Sequence, residues 1–305
     1  MIVSIGEILV DQFIEQEHKV NHPGGAPFNV ACNIDQLGGN VYFYGAIGND
    51  DNGKFLLDYL KTKQFNHRID VLNDRNTTLA IVSLKNGERS FRFERDNGAD
   101  YVLNDNIIED LDSAQKTIIH LGSLMLSIKE GKEFFYRVIK KIKQNKNYLI
   151  SFDVNYRDDI FPNEEEAKAV FLQAIQEADI LKFTYEELCL LSNENNIIDA
   201  LDKITNAKQI VVVSLGKDGS LFSYKHHVIK VDTKEVESID TTGAGDAFYS
   251  SFLYYLDQGL DLNKDDEVRK VLQISNFVGG CATLKKGAIG LIPSKEEINE
   301  FIKNN

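Results

Sequence analysis

The chain has 305 residues, 43% of them hydrophobic, and a formal net charge of −13. That apolar fraction excludes disorder as the default, and the mixing of acids and bases, with no long basic run, argues against a nucleic-acid groove or a membrane-surface patch. Cys32, Cys189 and Cys281 are far apart and odd in number, so neither a disulfide framework nor a zinc site is expected, and a reducing compartment fits.

In chain order, IVSIGEILVD reads as an opening strand that stops near Asp11. The N-terminus lacks the basic start and cleavage site of a signal peptide. No segment approaches ~20 continuous apolar residues, so a cytoplasmic protein that spans no membrane is expected. VYFYGAIG (41–48) reads as a second strand, TIIHLGSL (117–124) as a third, and KEGKEFFYRVIKKIK (129–143) as a helix. YLISFDVN (148–155), DILKF (179–183) and QIVVVSLG (209–216) are further strands, and EEEAKAVFLQAIQEA (164–178) is a helix with acids in its first turn. Strand–helix alternation of this kind specifies a parallel sheet with helices on its faces. Residues 12–22 and 75–98 break the rhythm with strand-like alternation. The Asn-Gly of KNGER is a hairpin signal, so these two segments predict a small antiparallel sheet, a lid over one large domain spanning 1–305.

GNDDNGK (48–54) has the spacing of a phosphate-binding loop, but Phe55 stands where Ser or Thr would hold magnesium, and Asp50 and Asp51 would repel phosphate. It reads as a turn with a helix start behind it. DTTGAGDAFYSSF (240–252) is different. Gly243, Ala244 and Gly245 leave their amides unobstructed ahead of an apolar helix, and free N–H groups at a helix N-terminus bind anions. Asp246 in that first turn suits a general base that deprotonates a hydroxyl attacking a bound phosphoryl group. An ordinary helix start with an Asp in its first turn is the other reading. PGGAPFNVACNIDQLGG (23–39) offers Gly24, Gly25 and Pro27 for close backbone approach, with Asn29 at a helix start as either a sugar ligand or an N-cap.

The two stretches together resemble the ribokinase-like (PfkB) carbohydrate kinase family. The first signature runs from Gly24 to Gly48 and the second is DTTGAGDAFYSSF, in which Ser251 replaces the usual alanine or glycine. The resemblance spans the chain and is most similar to fructokinases, on GEILVD, GGAP, TTLAIV, GERSFRFER, HLGSL and FDVNYR. It implies a doubly wound, mostly parallel sheet with the antiparallel lid, ATP with Mg2+ as phosphoryl donor, and a hexose phosphorylated at a primary hydroxyl, fructose to fructose 6-phosphate. Relatives acting on 2-keto-3-deoxygluconate are the nearest rival, and a non-catalytic sugar-binding regulator on the same fold is the rival of another class.

The resemblance also implies residue roles. Asp246 is the base and Gly243, Ala244 and Gly245 form the anion hole. Asp11, Gly25, Asn29, Arg95 and Arg157 bind the sugar, with an exposed arginine in a salt bridge as the other reading of Arg95 and Arg157, and Phe93 as a lid wall or hairpin core. Lys182, Glu187, Ser214, Gly216, Gly219 and Asn276 serve the nucleotide, Thr184 replacing the family Asn of the element that contains Glu187. A monovalent cation, K+, is implied at Asp240, Thr242 and the carbonyls of Ala282, Lys285 and Gly287, with Leu291 where some relatives place Ser. A homodimer through the lid is implied too.

Overall fold

Runs of β-branched and aromatic residues become strands, and segments with a helical stripe become helices. The computed structural model describes residues 1–15, 18–85, 88–234 and 236–304. The strands are β1 (Ile2–Ile5), β2 (Leu9–Glu15), β3 (His18–Gly24), β4 (Val41–Gly48), β5 (Asn66–Leu72), β6 (Leu79–Lys85), β7 (Glu88–Glu94), β8 (Thr117–Leu121), β9 (Tyr148–Asp153), β10 (Ile180–Thr184), β11 (Ile210–Ser214), β12 (Ser220–Tyr224) and β13 (His227–Val231). The helices are α1 (Ala26–Gln36), α2 (Asp51–Leu60), α3 (Lys129–Ile142), α4 (Glu164–Glu177), α5 (Tyr185–Ser192), α6 (Ile197–Ile204), α7 (Ala244–Asp257), α8 (Asp265–Ala282) and α9 (Lys295–Lys303).

Nine strands form one sheet in the order β13-β12-β11-β10-β9-β8-β1-β4-β5. From β5 to β11 every pairing is parallel, and β12 and β13 close one edge antiparallel. Successive side chains of a strand face opposite sides. In β1, Val3 and Ile5 join the core under α3–α6, beside Phe134, Phe171 and Leu188, while Ile2 joins the core under α1, α2, α7 and α8, beside Phe28, Leu56 and Phe252. Both faces are buried, so the sheet presents ligands only at its edge, at the C-terminal ends of its strands.

The second sheet is β3-β2-β6-β7. Its outer pairs, β2–β3 and β6–β7, are antiparallel as expected, and the central β2–β6 pair is parallel. Residues 86–87, the expected Asn-Gly turn, lie outside the described residues; β6 and β7 are in register up to Lys85 opposite Glu88. Near residue 50 the phosphate-loop look-alike is a helix start. Asp50 caps α2, accepting from the Gly53 amide at 2.7 Å, and also binds the Thr77 amide at 2.7 Å.

Two expectations need correction. The opening strand is two strands: Gly6 N–H still bonds Tyr44 O at 3.1 Å, and four residues later Val10 N–H bonds Thr78 O at 3.1 Å. The chain therefore leaves the large sheet at Gly6–Ile8, and Asp11 sits on β2 of the lid rather than at the end of β1. The continuous apolar run from Ile2 to Val10 hides that change of sheet. Likewise α1 starts at Ala26, with Gly25 as its N-cap and Pro27 in its first turn, so Asn29 lies inside the helix and is not its cap.

Candidate active site

At the end of the segment Asp240–Thr242, Gly243 adopts a left-handed conformation, φ 79°, as the N-cap of α7. A Cβ there would overlap the Ala288 carbonyl oxygen, so glycine is required. No side chain caps α7. The amides of Gly243 and Gly245 therefore stand at the positive end of the helix dipole, on a cavity wall. The third amide expected there is committed elsewhere: Ala244 N–H closes a turn onto Thr241 O at 3.2 Å.

Asp246 is the third residue of α7, and its Oδ2 accepts a hydrogen bond from Asn29 Nδ2 at 2.7 Å. The pair spans the packed face of α1 against α7. One turn further on, Ser250 Oγ donates to the Asp246 carbonyl at 2.5 Å and receives Asn33 Nδ2 at 3.5 Å. Asp246 is thus held by both helices, its carboxylate from α1 and its carbonyl from within α7. Asn29 Oδ1 is buried without a hydrogen-bond partner among the described residues.

Gly243, Gly245, Asp246 and Asn29 line a cavity of about 910 Å³ with Asp11, Gly25, Arg157, Lys182 and Glu187. Leu9, Ala80, Phe93 and Leu124 form its apolar wall, the first three from the lid and the last from the core. Gly25 holds φ 108° where a Cβ would overlap the Glu7 carbonyl oxygen, so α1 begins in close contact with the Glu7–Ile8 backbone. Arg95 is not brought to this cavity. Its guanidinium binds Asp100 Oδ2 at 2.9 and 2.5 Å, Leu124 O at 2.9 Å and Ser127 Oγ at 2.6 Å. An ion pair that locks the lid's return to the core has taken the group expected to reach the sugar. Arg157 does line the cavity.

The cavity's charges are coupled. Burial pushes Asp246 above its ordinary value, while the Asn29 hydrogen bond, Lys182 and Arg157 pull it back. Burial and then Asp246 push Asp11 up to about 7, against Arg157. Lys182 Nζ lies 3.0 Å from Asp153 Oδ1, with both side chains nearly inaccessible at 4% and 3%. Burial alone would lower Lys182, but Asp153, Glu187 and Asp246 more than offset it and keep the ammonium charged. That ammonium points at the anion site, because a Cβ on Gly245 would lie 3.2 Å from it.

Glu7 and Asp153 are two buried polar residues of this neighbourhood that sequence reasoning missed. Both stand in recognised stretches, GEILVD and FDVNYR, so their positions were visible but not their burial. Neither Glu7 oxygen meets a hydrogen-bond partner of good geometry among the described residues. Burial pushes its carboxyl up to about 8, with its own amide N–H opposing, Asp100 adding and Arg95 opposing. Glu7 is therefore a neutral acid at pH 7.

A second cavity of about 510 Å³ shares Thr184, Thr241 and Gly245 with the first. Ser214, Gly216, Gly219 and Asn276 line it as a group, with Phe248 and the small residues Gly279 and Gly280. Small residues and a helix N-terminus at its junction with the first cavity suit a nucleotide whose phosphates point at Gly245. Glu187 stands at that junction, and both its oxygens hold backbone amides, Thr184 N at 2.7 Å and Tyr156 N at 2.9 Å. Thr184 returns the bond from its Oγ1 to complete a capping box on α5. Each carboxylate oxygen keeps a lone pair, which fits contact with a metal's water shell better than direct ligation.

Asp240 is buried, and its oxygens accept Thr242 N at 2.8 Å and Gly287 N at 3.0 Å. Ala282 ends α8, and Lys285 and Gly287 lie in the following loop. The structure therefore brings Thr242 and Gly287 together on Asp240, and the Ile239 and Asp240 amides reach the Thr283 carbonyl just after Ala282; no contact among the described residues places the Ala282 and Lys285 carbonyls there. Leu291 is half exposed.

The sequence matches the pfkB family carbohydrate kinases over residues 1–295. It is 32% identical over 319 residues to the probable fructokinase-4 of Arabidopsis thaliana, covering 100% of this chain and 97% of that protein. The structure is similar to the fructokinase of Vibrio cholerae O395 with fructose, ADP and calcium bound, with a TM-score of 0.88 and 32% identity over 99% of this chain and 98% of that one. A double mutant of that fructokinase with fructose, ADP and a potassium ion bound is similar at a TM-score of 0.89 and 32% identity, over 99% and 97% of the two chains.

Proposed function

The chain belongs to the pfkB family of carbohydrate kinases and is an ATP-dependent sugar kinase; from that premise we propose that it transfers the γ-phosphoryl group of ATP to the primary 6-hydroxyl of fructose. The observation that carries the residue assignment is the Asn29–Asp246 hydrogen bond, which lines the first cavity beside Gly245, a residue that both cavities share. Asp246 takes the hydroxyl proton. The Gly243 and Gly245 amides and Lys182 stabilise the charge on the moving phosphoryl group. Catalysis here is mainly alignment and charge neutralisation, and the base adds a modest share.

Asp11 accepts hydroxyls of the sugar from the lid side, and Gly25 and Arg157 complete its pocket. Ser214, Gly216, Gly219 and Asn276 hold the nucleotide. A magnesium ion reached through water from Glu187 would neutralise the β- and γ-phosphates. A potassium ion at the Asp240 loop would fix the anion hole from behind.

The cavity's charge favours a neutral sugar over 2-keto-3-deoxygluconate. Asp11, Asp158, Asp159, Glu187 and Asp246 line it, Arg95 is held by Asp100, and Lys182 is paired with Asp153. A sugar carboxylate would meet repulsion with Arg157 as its one unpaired cation among the lining residues. A coupled ATP-consumption assay over a sugar panel tests the reading. Fructose should give the highest kcat/KM, and faster turnover of 2-keto-3-deoxygluconate would sink it. The protein is further read as cytoplasmic, in line with the absence, among the described residues, of any helix able to cross a membrane. It is read as a homodimer through the lid, where Ile14 and Val20 are exposed at 43% and 40%. A monomer by light scattering would end the dimer reading.

A further inference from the structure

The sugar cavity is bounded on one side by lid strand β7 and on the other by the short 3-10 turn Asp158–Ile160 that follows Arg157. β7 is the edge strand of the lid, so one row of its backbone groups has no strand partner. Phe93 pairs with Ala80 of β6 in register, and its N–H is donated across the cavity mouth to Asp159 Oδ2 at 3.3 Å. Beside this bond, Phe93 and Ile160 pack on the cluster of Leu9, Ala80 and Leu124, so polar and apolar contacts join the lid to the core at the same place. On the far side the lid also touches the core, where the His22 ring lies against Gly287. Asp159 is exposed, and apart from its own amide the Phe93 N–H is the hydrogen-bond partner its carboxylate has among the described residues, so that main-chain contact with the lid helps set its orientation.

We propose that Asp159 is a lid latch, a positioning residue that holds β7 against the 158–160 turn and keeps Phe93 over the bound sugar. It acts through the Phe93 amide and does not touch the reacting atoms. Holding the lid slows sugar escape and excludes water from the cavity without altering the proton transfer at Asp246. The kinetic part of this inference rests on the fructokinase reading above; the structural part does not.

The test compares Asp159→Ala and Asp159→Asn with wild type, all three folding normally because the site is at the surface. One arm measures exchange of the Phe93 amide in the ligand-free protein. The other measures KM and kcat for fructose. In Asp159→Ala the amide should exchange at least several-fold faster, and KM should rise about three- to tenfold, the loss of one hydrogen bond, with kcat within about twofold. Asp159→Asn keeps an oxygen acceptor and should stay within about twofold of wild type in both arms. Unchanged exchange in Asp159→Ala overturns the latch. So does a raised KM without faster exchange, which would mean that Asp159 contacts sugar directly, and so does an Asn variant as impaired as the Ala variant. If wild type fails to phosphorylate fructose while the exchange arm behaves as expected, the substrate reading falls and the latch stands.

Discussion

Asn29 Nδ2 lies 2.7 Å from Asp246 Oδ2, so a side chain from α1 holds the carboxylate in the first turn of α7. The bond stabilises the charged form of Asp246 against the burial that pushes its pKa up. A base must be ionised to act, so kcat/KM for fructose should rise with pH as Asp246 deprotonates, with a midpoint above the ordinary 3.8. In Asn29→Ala the restraining hydrogen bond is gone, and the acid limb should move to higher pH. Asp246→Asn should cut kcat by two or more orders of magnitude, in line with general-base losses of ~100- to 10,000-fold. A pH profile for Asn29→Ala that overlays wild type would separate the two residues functionally.

Gly243 and Gly245 differ in what a methyl group would meet. At Gly243, alanine must adopt φ 79° and overlap the Ala288 carbonyl, so the α7 N-terminus has to shift. At Gly245, the nearest atom is the Lys182 ammonium, the end of a long side chain, at 3.2 Å. Gly243→Ala should therefore lose both stability and turnover, whereas Gly245→Ala should keep the melting temperature and lose mainly kcat. Equal thermal shifts in the two variants, measured by calorimetry, would contradict this.

Arg95 and Arg157 should separate in the opposite sense from their shared sequence expectation. Arg95 is 7% exposed and paired with Asp100, which is 1% exposed. Breaking a buried pair leaves an uncompensated charge at a cost of ~3–5 kcal/mol. Arg95→Met should thus lower unfolding free energy strongly. Arg157 lines the cavity without such a pair, and Arg157→Met should raise KM for fructose with stability changed by less than ~0.5 kcal/mol. Denaturant unfolding alongside steady-state kinetics checks both.

The large sheet is legible in the sequence because its signals are local: IVVVS and TIIHL are strands in any register, and α3 and α4 carry their own stripes. The bare N-terminus of α7 is legible for the same reason, since glycines ahead of an apolar helix state the geometry themselves. Arg95 is not legible, because its partner Asp100 and the Leu124 carbonyl meet it only through the fold, and an unpaired and a clasped arginine look alike in sequence. Asp11 reads from sequence as the end of β1 because hydrophobic continuity from Ile2 to Val10 does not reveal a change of sheet. Glu7 escaped because burial, which gives a carboxyl its character, is a tertiary property.

Glu7 makes that last point measurable. Its carboxyl is ordinarily near 4.5 and stands at about 8 in the folded protein, chiefly because it is buried. Between those values the folded state keeps a proton that the unfolded chain has released. Stability therefore falls as pH rises through that window, and the Glu7 contribution levels off only once pH exceeds about 8. Asp11, raised to about 7, adds a slope of the same sign. Glu7→Gln has no proton to lose, so its unfolding free energy should decline less steeply, by about 1.4 kcal/mol per pH unit across the window. The Asp11 share of the slope should remain. Urea unfolding of both proteins at several values between about pH 5 and 8 measures the difference. Parallel curves would mean that Glu7 is ionised in the folded protein, and its carboxylate would then have to draw its stabilisation from Arg95.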